Sequence, residues 1–144
     1  MIAVDTNILV HAHRWDSPWH EPAMQCLARV ARGPWAVPWP CVHEFLSIVT
    51  HPRIFDPPTP QEDARKAISL WLDAPMLVLF SEMDGYWEIL EGLLDRSKVT
   101  GPRIHDARIA ALCVLHAVDE IWTADRDFGR FPGIRIVNPL VESS

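Results

Sequence analysis

The sequence contains no apolar run of about eighteen residues or more, so no membrane-spanning helix is expected. Cysteine is scarce: Cys26, Cys41 and Cys113 lie far apart and form no CxxC pair, which excludes a disulfide framework and a zinc ribbon. Such a scattered, odd set suits a reducing compartment, the cytoplasm, with the thiols acting as packing residues. Ahead of Asp5 stand only Met1, Ile2, Ala3 and Val4, without the basic region of a secretory leader, so none is expected. An excess of basic charge is also missing. Thirteen Lys and Arg face nineteen Asp and Glu, a net charge of -6, and this disfavours a generic nucleic-acid-binding module, which needs a basic surface. Repeats, low-complexity tracts and linkers are absent, so residues 1–144 are expected to form a single domain. An apolar fraction of 49% and a charged fraction of 22% are those of a globular chain able to bury a core without staples.

Short apolar runs alternate with helical patterns along the chain. Ile2–Val4 reads as a strand that stops at Asp5-Thr6-Asn7, where Thr6 or Asn7 can cap a helix beginning at Ile8. Ser17-Pro18 is expected to open a second helix running to about Arg32. Trp35–Val37 reads as a strand and Pro40–Thr50 as a helix that His51-Pro52 stops. Three prolines mark Arg53–Pro60 as a loop, and Thr59-Pro60-Gln61-Glu62 reads as a capped start of a helix to about Asp73. A strand over Met76–Phe80 precedes a helix over Asp84–Arg96, with Trp87, Leu90, Leu93 and Leu94 on one side. The strongly apolar helix Arg103–Ala117 leads to strands over Glu120–Thr123 and Ile134–Val137. This alternation predicts an α/β fold with a short, mainly parallel sheet of four to five strands.

Four carboxylates stand out against that framework. Asp5 sits where the first strand hands over to a helix, and Asp125 follows the strand near the far end of the chain. In open parallel sheets, ligands gather beyond the carboxyl ends of strands, although an Asp there can equally cap the next helix. Asp127, two residues on, competes with Asp125 for the cleft; the other acid then orients Arg126 or caps the turn before Phe128. Asp106 and Glu44 are lone acids at the heads of apolar helices, in Ile104-His105-Asp106-Ala107 and Val42-His43-Glu44-Phe45. The helix dipole accounts for such acids in part, but a carboxylate entering a buried helix also needs a cation or donors. Two carboxylates about 4 Å apart repel by about 4 kcal/mol at a surface-like dielectric, so four in one cleft imply protons or a shared cation. Oxygen-only ligation suits magnesium or manganese, which acidifies water and offsets charge building on a phosphodiester. Thr6, Asn7 and Thr123 are suitable donors to hold the acids. A site of this kind also needs unpaired acids: setting aside Asp5, Glu44, Asp106 and Asp125 leaves fifteen acids against thirteen bases.

The segments Met1-Ile2-Ala3-Val4-Asp5-Thr6-Asn7, Pro40-Cys41-Val42-His43-Glu44-Phe45, His105-Asp106-Ala107-Arg108-Ile109-Ala110 and Thr123-Ala124-Asp125-Arg126-Asp127-Phe128 together resemble the PIN domain. Within it they are most similar to the VapC-type toxins of bacterial toxin–antitoxin pairs. Order and spacing extend the likeness as far as Asn138-Pro139-Leu140. The resemblance implies a three-layer α/β/α sandwich, a homodimer, and an acidic quartet holding magnesium or manganese for RNA cleavage. Carried onto this chain, the quartet is Asp5, Glu44, Asp106 and Asp125, with Asp5 and Asp106 as direct ligands and Glu44 and Asp125 acting partly through water. It also implies a cognate VapB-type antitoxin whose Arg-bearing tail meets these carboxylates.

Other motifs fail. HExxH needs a second His where Ser47 stands, a DxD phosphatase start needs an Asp where Asn7 stands, and GxSxG and GxxxxGK[ST] are absent. His105 is a minor candidate for substrate contact. The seven tryptophans, Trp35, Trp39, Trp71, Trp87 and Trp122 among them, read mainly as core or dimer-interface residues rather than base-stacking platforms. Arg53, Arg103 and Arg108 are candidates for phosphate contacts, with ion pairing as the alternative. The sequence therefore reads as a magnesium- or manganese-dependent ribonuclease acting as a toxin. A nuclease of the same fold acting on DNA or flapped structures, and an idle antitoxin-binding protein, are its rivals.

Overall fold

The computed structural model describes residues 1–141; the expected domain runs to residue 144, and residues 142–144 lie outside those described. Five strands, β1 (Ile2–Val4), β2 (Trp35–Pro38), β3 (Leu77–Phe80), β4 (Glu120–Trp122) and β5 (Arg135–Val137), form one sheet in the order β3-β2-β1-β4-β5. Every pairing is parallel, so the expected sheet is found with all five strands. The helices are α1 (Thr6–His13), α2 (His20–Val30), α3 (Trp39–Val49), α4 (Gln61–Leu72), α5 (Tyr86–Ser97) and α6 (Arg103–Leu115). With this strand order, the right-handed crossover rule assigns α1 to α4 to one face of the sheet and α5 and α6 to the other. Packing sorts the same way: α1 lies against α2 and α3, α3 against α4, and α5 against α6.

The core sits where these layers meet. Ala3, Val4, Ala36, Val37 and Ile121 of the central strands are buried, as are Ala107, Ile109, Ala110, Ala111, Leu112 and Cys113 of α6. Small alanines on successive turns of α6 let the helix lie close to the sheet, which is why its sequence is apolar almost all round. Phe45 of α3 is fully buried, with the Trp71 ring edge-on at 4.8 Å and the His13 ring at 5.2 Å. All three cysteines are free and buried. Among the described residues, no helix is long and apolar enough to cross a membrane.

Several boundaries differ from expectation for identifiable reasons. The cap of α1 is Asp5, not Thr6 or Asn7: its carboxylate accepts from the Thr6 amide, and both later residues turn their side chains to the site. α2 begins at His20 rather than Ser17-Pro18, because Ser17 Oγ accepts from the Trp19 amide in a turn and shares a hydrogen bond with His11 Nδ1 at 2.6 Å. Thr59 does not cap α4. Its amide donates to the Val49 carbonyl, and its hydroxyl accepts from Arg14 at 3.2 Å. On α5 only Leu90 and Leu93 are buried, and Trp87 is exposed, as are Trp15, Trp19 and Trp39; Trp35 and Trp122 are core residues.

Candidate active site

The direction of chain progression reverses at β1. From β1 the chain moves through β2 to β3 on one side, whereas β4 and β5 lie on the other. The carboxyl ends of β1 and β4 therefore flank a topological switch point, where open α/β sheets bind ligands. The Asp5 amide donates to the Trp122 carbonyl at 3.0 Å, fixing the two strand ends side by side. Asp5 follows β1 and Asp125 lies just beyond β4, so the sheet itself brings the first and last acids into one region.

Asp5 is 4% exposed and receives four donors. The Thr6 amide (2.7 Å) and the Cys41 thiol (3.6 Å) donate to Oδ1, and the Thr123 hydroxyl (2.8 Å) and Asn7 Nδ2 (3.2 Å) donate to Oδ2. Burial nevertheless pushes its carboxyl up to about 6; the hydrogen bonds from Thr123 and Thr6 oppose that rise, and the charge of Glu44 adds to it. Glu44, on α3, is half-buried, and its Oε2 accepts from the Thr6 hydroxyl at 2.9 Å.

Thr123 and Asn7 join the two strand ends. The Thr123 hydroxyl donates to Asp5 and accepts from Asn7 Nδ2 and from the Asp125 amide, each at 3.0 Å. Asn7 Oδ1 accepts from the Ala124 amide at 3.0 Å. The expected donors Thr6, Asn7 and Thr123 thus all act on the acids. Cys41, expected only to pack, is a fourth; its place three residues before Glu44 on the same helix is the available signal.

Asp106 lies in the first turn of α6 and is drawn toward the β4 end by Arg103. The Arg103 guanidinium contacts Asp106 Oδ2 at 3.1 Å and Asp125 Oδ2 at 3.6 Å, and also pairs with Asp127. Burial raises the Asp106 carboxyl above its ordinary value, the Arg103 hydrogen bond opposes this, and the Asp125 charge reinforces it. Asp125 also caps a 3-10 turn over Arg126–Arg130 by accepting from the Asp127 amide at 2.9 Å. Asp125 and Asp127 thus divide the tasks foreseen for them differently: one caps the turn, and both face the same cation.

Hydrogen bonds and ion pairs connect the four acid residues: the Thr6 hydroxyl meets Glu44 and its amide meets Asp5, the Thr123 hydroxyl meets Asp5 and the Asp125 backbone amide, and Arg103 faces the carboxylates of Asp125 and Asp106. They fall into two groups, Asp5 with Glu44 and Asp106 with Asp125. Among the described residues, no three His, Cys, Asp or Glu side chains are gathered tightly enough to hold an ion as they stand. The donor chemistry fits a hard divalent ion: all the donors are carboxylate oxygens, one of them buried at a cost in charge, and the second group already surrounds a cation. Of the other candidates, Arg108 pairs with Glu82 at 2.5 Å and feels the Glu44 charge, His105 is exposed beside Asp106, and Arg53 lies in the exposed proline loop.

Comparison with known proteins bears on the family and the fold. The PIN-domain profile matches residues 2–134. Ribonuclease VapC48 of Mycobacterium tuberculosis is 35% identical over 138 residues, 94% of this chain and 95% of its own length. Two solved structures share the fold. VapBC2 of Rickettsia felis bound to a DNA fragment from its promoter gives a TM-score of 0.70 at 17% identity, covering 95% of this chain and 98% of that one. VapC20 of Mycobacterium tuberculosis, a sarcin-ricin loop cleaving toxin, gives 0.70 at 15% identity, covering 90% and 93%. A profile match over nearly the whole chain, a relative at this identity along its full length and the parallel five-stranded sheet have one reading: the chain belongs to the PIN-domain family, in its VapC-type branch.

Proposed function

We propose that this chain hydrolyses RNA phosphodiester bonds as the toxin of a VapBC-type toxin–antitoxin pair, using magnesium or manganese held by Asp5, Glu44, Asp106 and Asp125. The observation that carries the reading is the bond network joining these acids across the sheet's switch point. A bound ion would supply positive charge against the charge developing on the phosphodiester and would acidify nearby water. The protein's own part is positioning. Thr6, Asn7, Thr123 and Cys41 fix both oxygens of Asp5, so that carboxylate has no freedom to turn away. Thr6 couples Glu44 to Asp5 through adjacent groups of one residue, and a carboxylate of the set moves the proton of the attacking water.

The same proposal includes a VapB-type antitoxin whose basic tail meets the acids, a homodimer, and a cytoplasmic protein. Three buried free thiols fit a reducing compartment, and exposed Met24, Leu70, Met83 and Trp87 give apolar area for association. Light scattering of the purified chain reads the dimer directly.

The test uses full-length protein freed of metal with a chelator. Adding magnesium or manganese is expected to restore cleavage of an RNA oligonucleotide and not of the matched DNA, because only RNA offers the 2′-hydroxyl for recognition. Asp5→Asn and Asp106→Asn should each abolish that cleavage with the circular dichroism spectrum unchanged. Near-normal cleavage by either variant moves the active site elsewhere. Cleavage of DNA alone selects the rival substrate, and no cleavage of any RNA pool selects the binding role.

A further inference from the structure

Arg103 holds three carboxylates that come from two distant stretches of chain. It is the first residue of α6, follows Gly101 in a left-handed conformation (φ 59°) and Pro102, and sends one guanidinium to Asp106, Asp125 and Asp127. Without it, three acids would face one another without the cation that now lies among them. The side chain is not sealed in. Arg103 is 41% exposed, and its three partners are 22%, 33% and 34% exposed, so one side of the cluster opens to solvent and a hydrated ion can reach it. Two of these partners, Asp106 and Asp125, are also nominated to hold the ion. A guanidinium and a divalent cation repel each other, so the two compete for these carboxylates.

We propose that Arg103 is a resident cation that occupies the Asp106–Asp125–Asp127 cluster until a divalent ion displaces it, and that the released guanidinium then binds an RNA phosphate. The inference rests on the metal-dependent reading above and deepens it by assigning a substrate contact. In the ion-free state Arg103 holds the 3-10 turn after β4 against the first turn of α6, so the acids are kept together before loading. Loading frees a planar, five-donor group on a chain segment that already begins at a glycine-proline turn. A guanidinium suits the bidentate geometry of a phosphate, whereas an ammonium offers only a point charge. Arg108 is less suited to this task because Glu82 already holds it at 2.5 Å.

The two halves of the exchange predict effects of opposite sign, which a merely structural residue would not produce. Chelator-treated full-length protein is titrated with manganese, following the free-ion electron paramagnetic resonance signal, for the parent, Arg103→Gln and Arg103→Lys. Arg103→Gln is expected to bind manganese about tenfold more tightly, having lost its competitor. At saturating manganese its KM for an RNA oligonucleotide is expected to rise about tenfold, the size of one lost charged contact. Arg103→Lys should fall between in both measurements, and it carries the test if the Gln variant does not fold. Equal or weaker manganese binding by the variants overturns the proposal while leaving the metal-dependent reading intact. Tighter manganese binding with an unchanged KM overturns the phosphate exchange. No manganese binding by any of the three proteins overturns this proposal together with the reading on which it rests.

Discussion

Replacing Asp5 by Asn should make the metal-free protein relatively more stable as pH rises, although it destroys the site. Burial raises the Asp5 carboxyl from 3.8 to about 6, so the folded chain keeps a proton there that the unfolded chain has lost. Protonated Asp5 therefore contributes stability that is fully present below about pH 3.8 and is lost as pH climbs through 6. A rise of two units corresponds to about 3 kcal/mol, which is the cost of holding the ionised form in its buried position at pH 7. Asn carries no charge at any of these pH values. Its amide group cannot accept from all four donors around Asp5, so the variant starts with a constant handicap. On top of that offset, the difference in unfolding free energy should shift in its favour by about 2.4 kcal/mol between pH 4 and pH 7. Urea denaturation of chelator-treated parent and variant at several pH values measures the difference, and most other carboxylates cancel in it. Saturating manganese should reverse the trend at pH 7, since the ion stabilises only the parent. A pH-independent difference, or one that moves against the variant as pH rises, would refute the claim that Asp5 is held charged at a cost.

Thr123→Val keeps the shape but removes the hydroxyl that serves Asp5, Asn7 and Asp125, so stability should fall by about 1.5–3 kcal/mol in denaturant melts, and cleavage should drop by about tenfold or more. Phe45→Ala should cost about 3–5 kcal/mol by the same assay, because the ring is fully buried against Trp71 and His13 one residue from Glu44. Arg14 is 4% exposed, pairs with Asp16, donates to Thr59 and lies over the Phe55 ring. Arg14→Ala should therefore lower stability by about 3 kcal/mol and expose the 51–60 loop to limited proteolysis, cuts that mass spectrometry would locate.

Much of this molecule is legible in one dimension because the relevant forces are local. The strands around Ala3, Ala36, Val78, Ile121 and Ile136 announce themselves as short apolar runs, and their alternation with helices leaves a parallel sheet as the way to bury both faces. The four acids are legible for the opposite reason: each is a charge set in an apolar context, at a strand end or a helix head, where a soluble protein has little cause to leave one uncompensated. Helix starts were less legible. Ser17-Pro18 and Thr59-Pro60 carry the local chemistry of a cap, but the side chains that would cap are taken by partners from other elements: Ser17 by His11, Thr59 by Arg14. Trp87 shares the spacing of Leu90 and Leu93 but is left exposed, because periodicity marks a face and only packing decides how far that face is covered.

By itself, then, the order of residues determined the layered α/β architecture and singled out four carboxylates in apolar settings with hydroxyl and amide donors near them, since propensity, patterning and the cost of isolated charge act over short stretches of chain. Tertiary structure alone decided which groups meet: that Asp5 caps α1 while Thr123 and Cys41 reach it, and that Arg103 binds Asp106, Asp125 and Asp127 together. Those contacts span up to 118 residues of sequence and depend on β1 lying beside β4. No local preference encodes that adjacency; it follows from closing the whole sheet over one core.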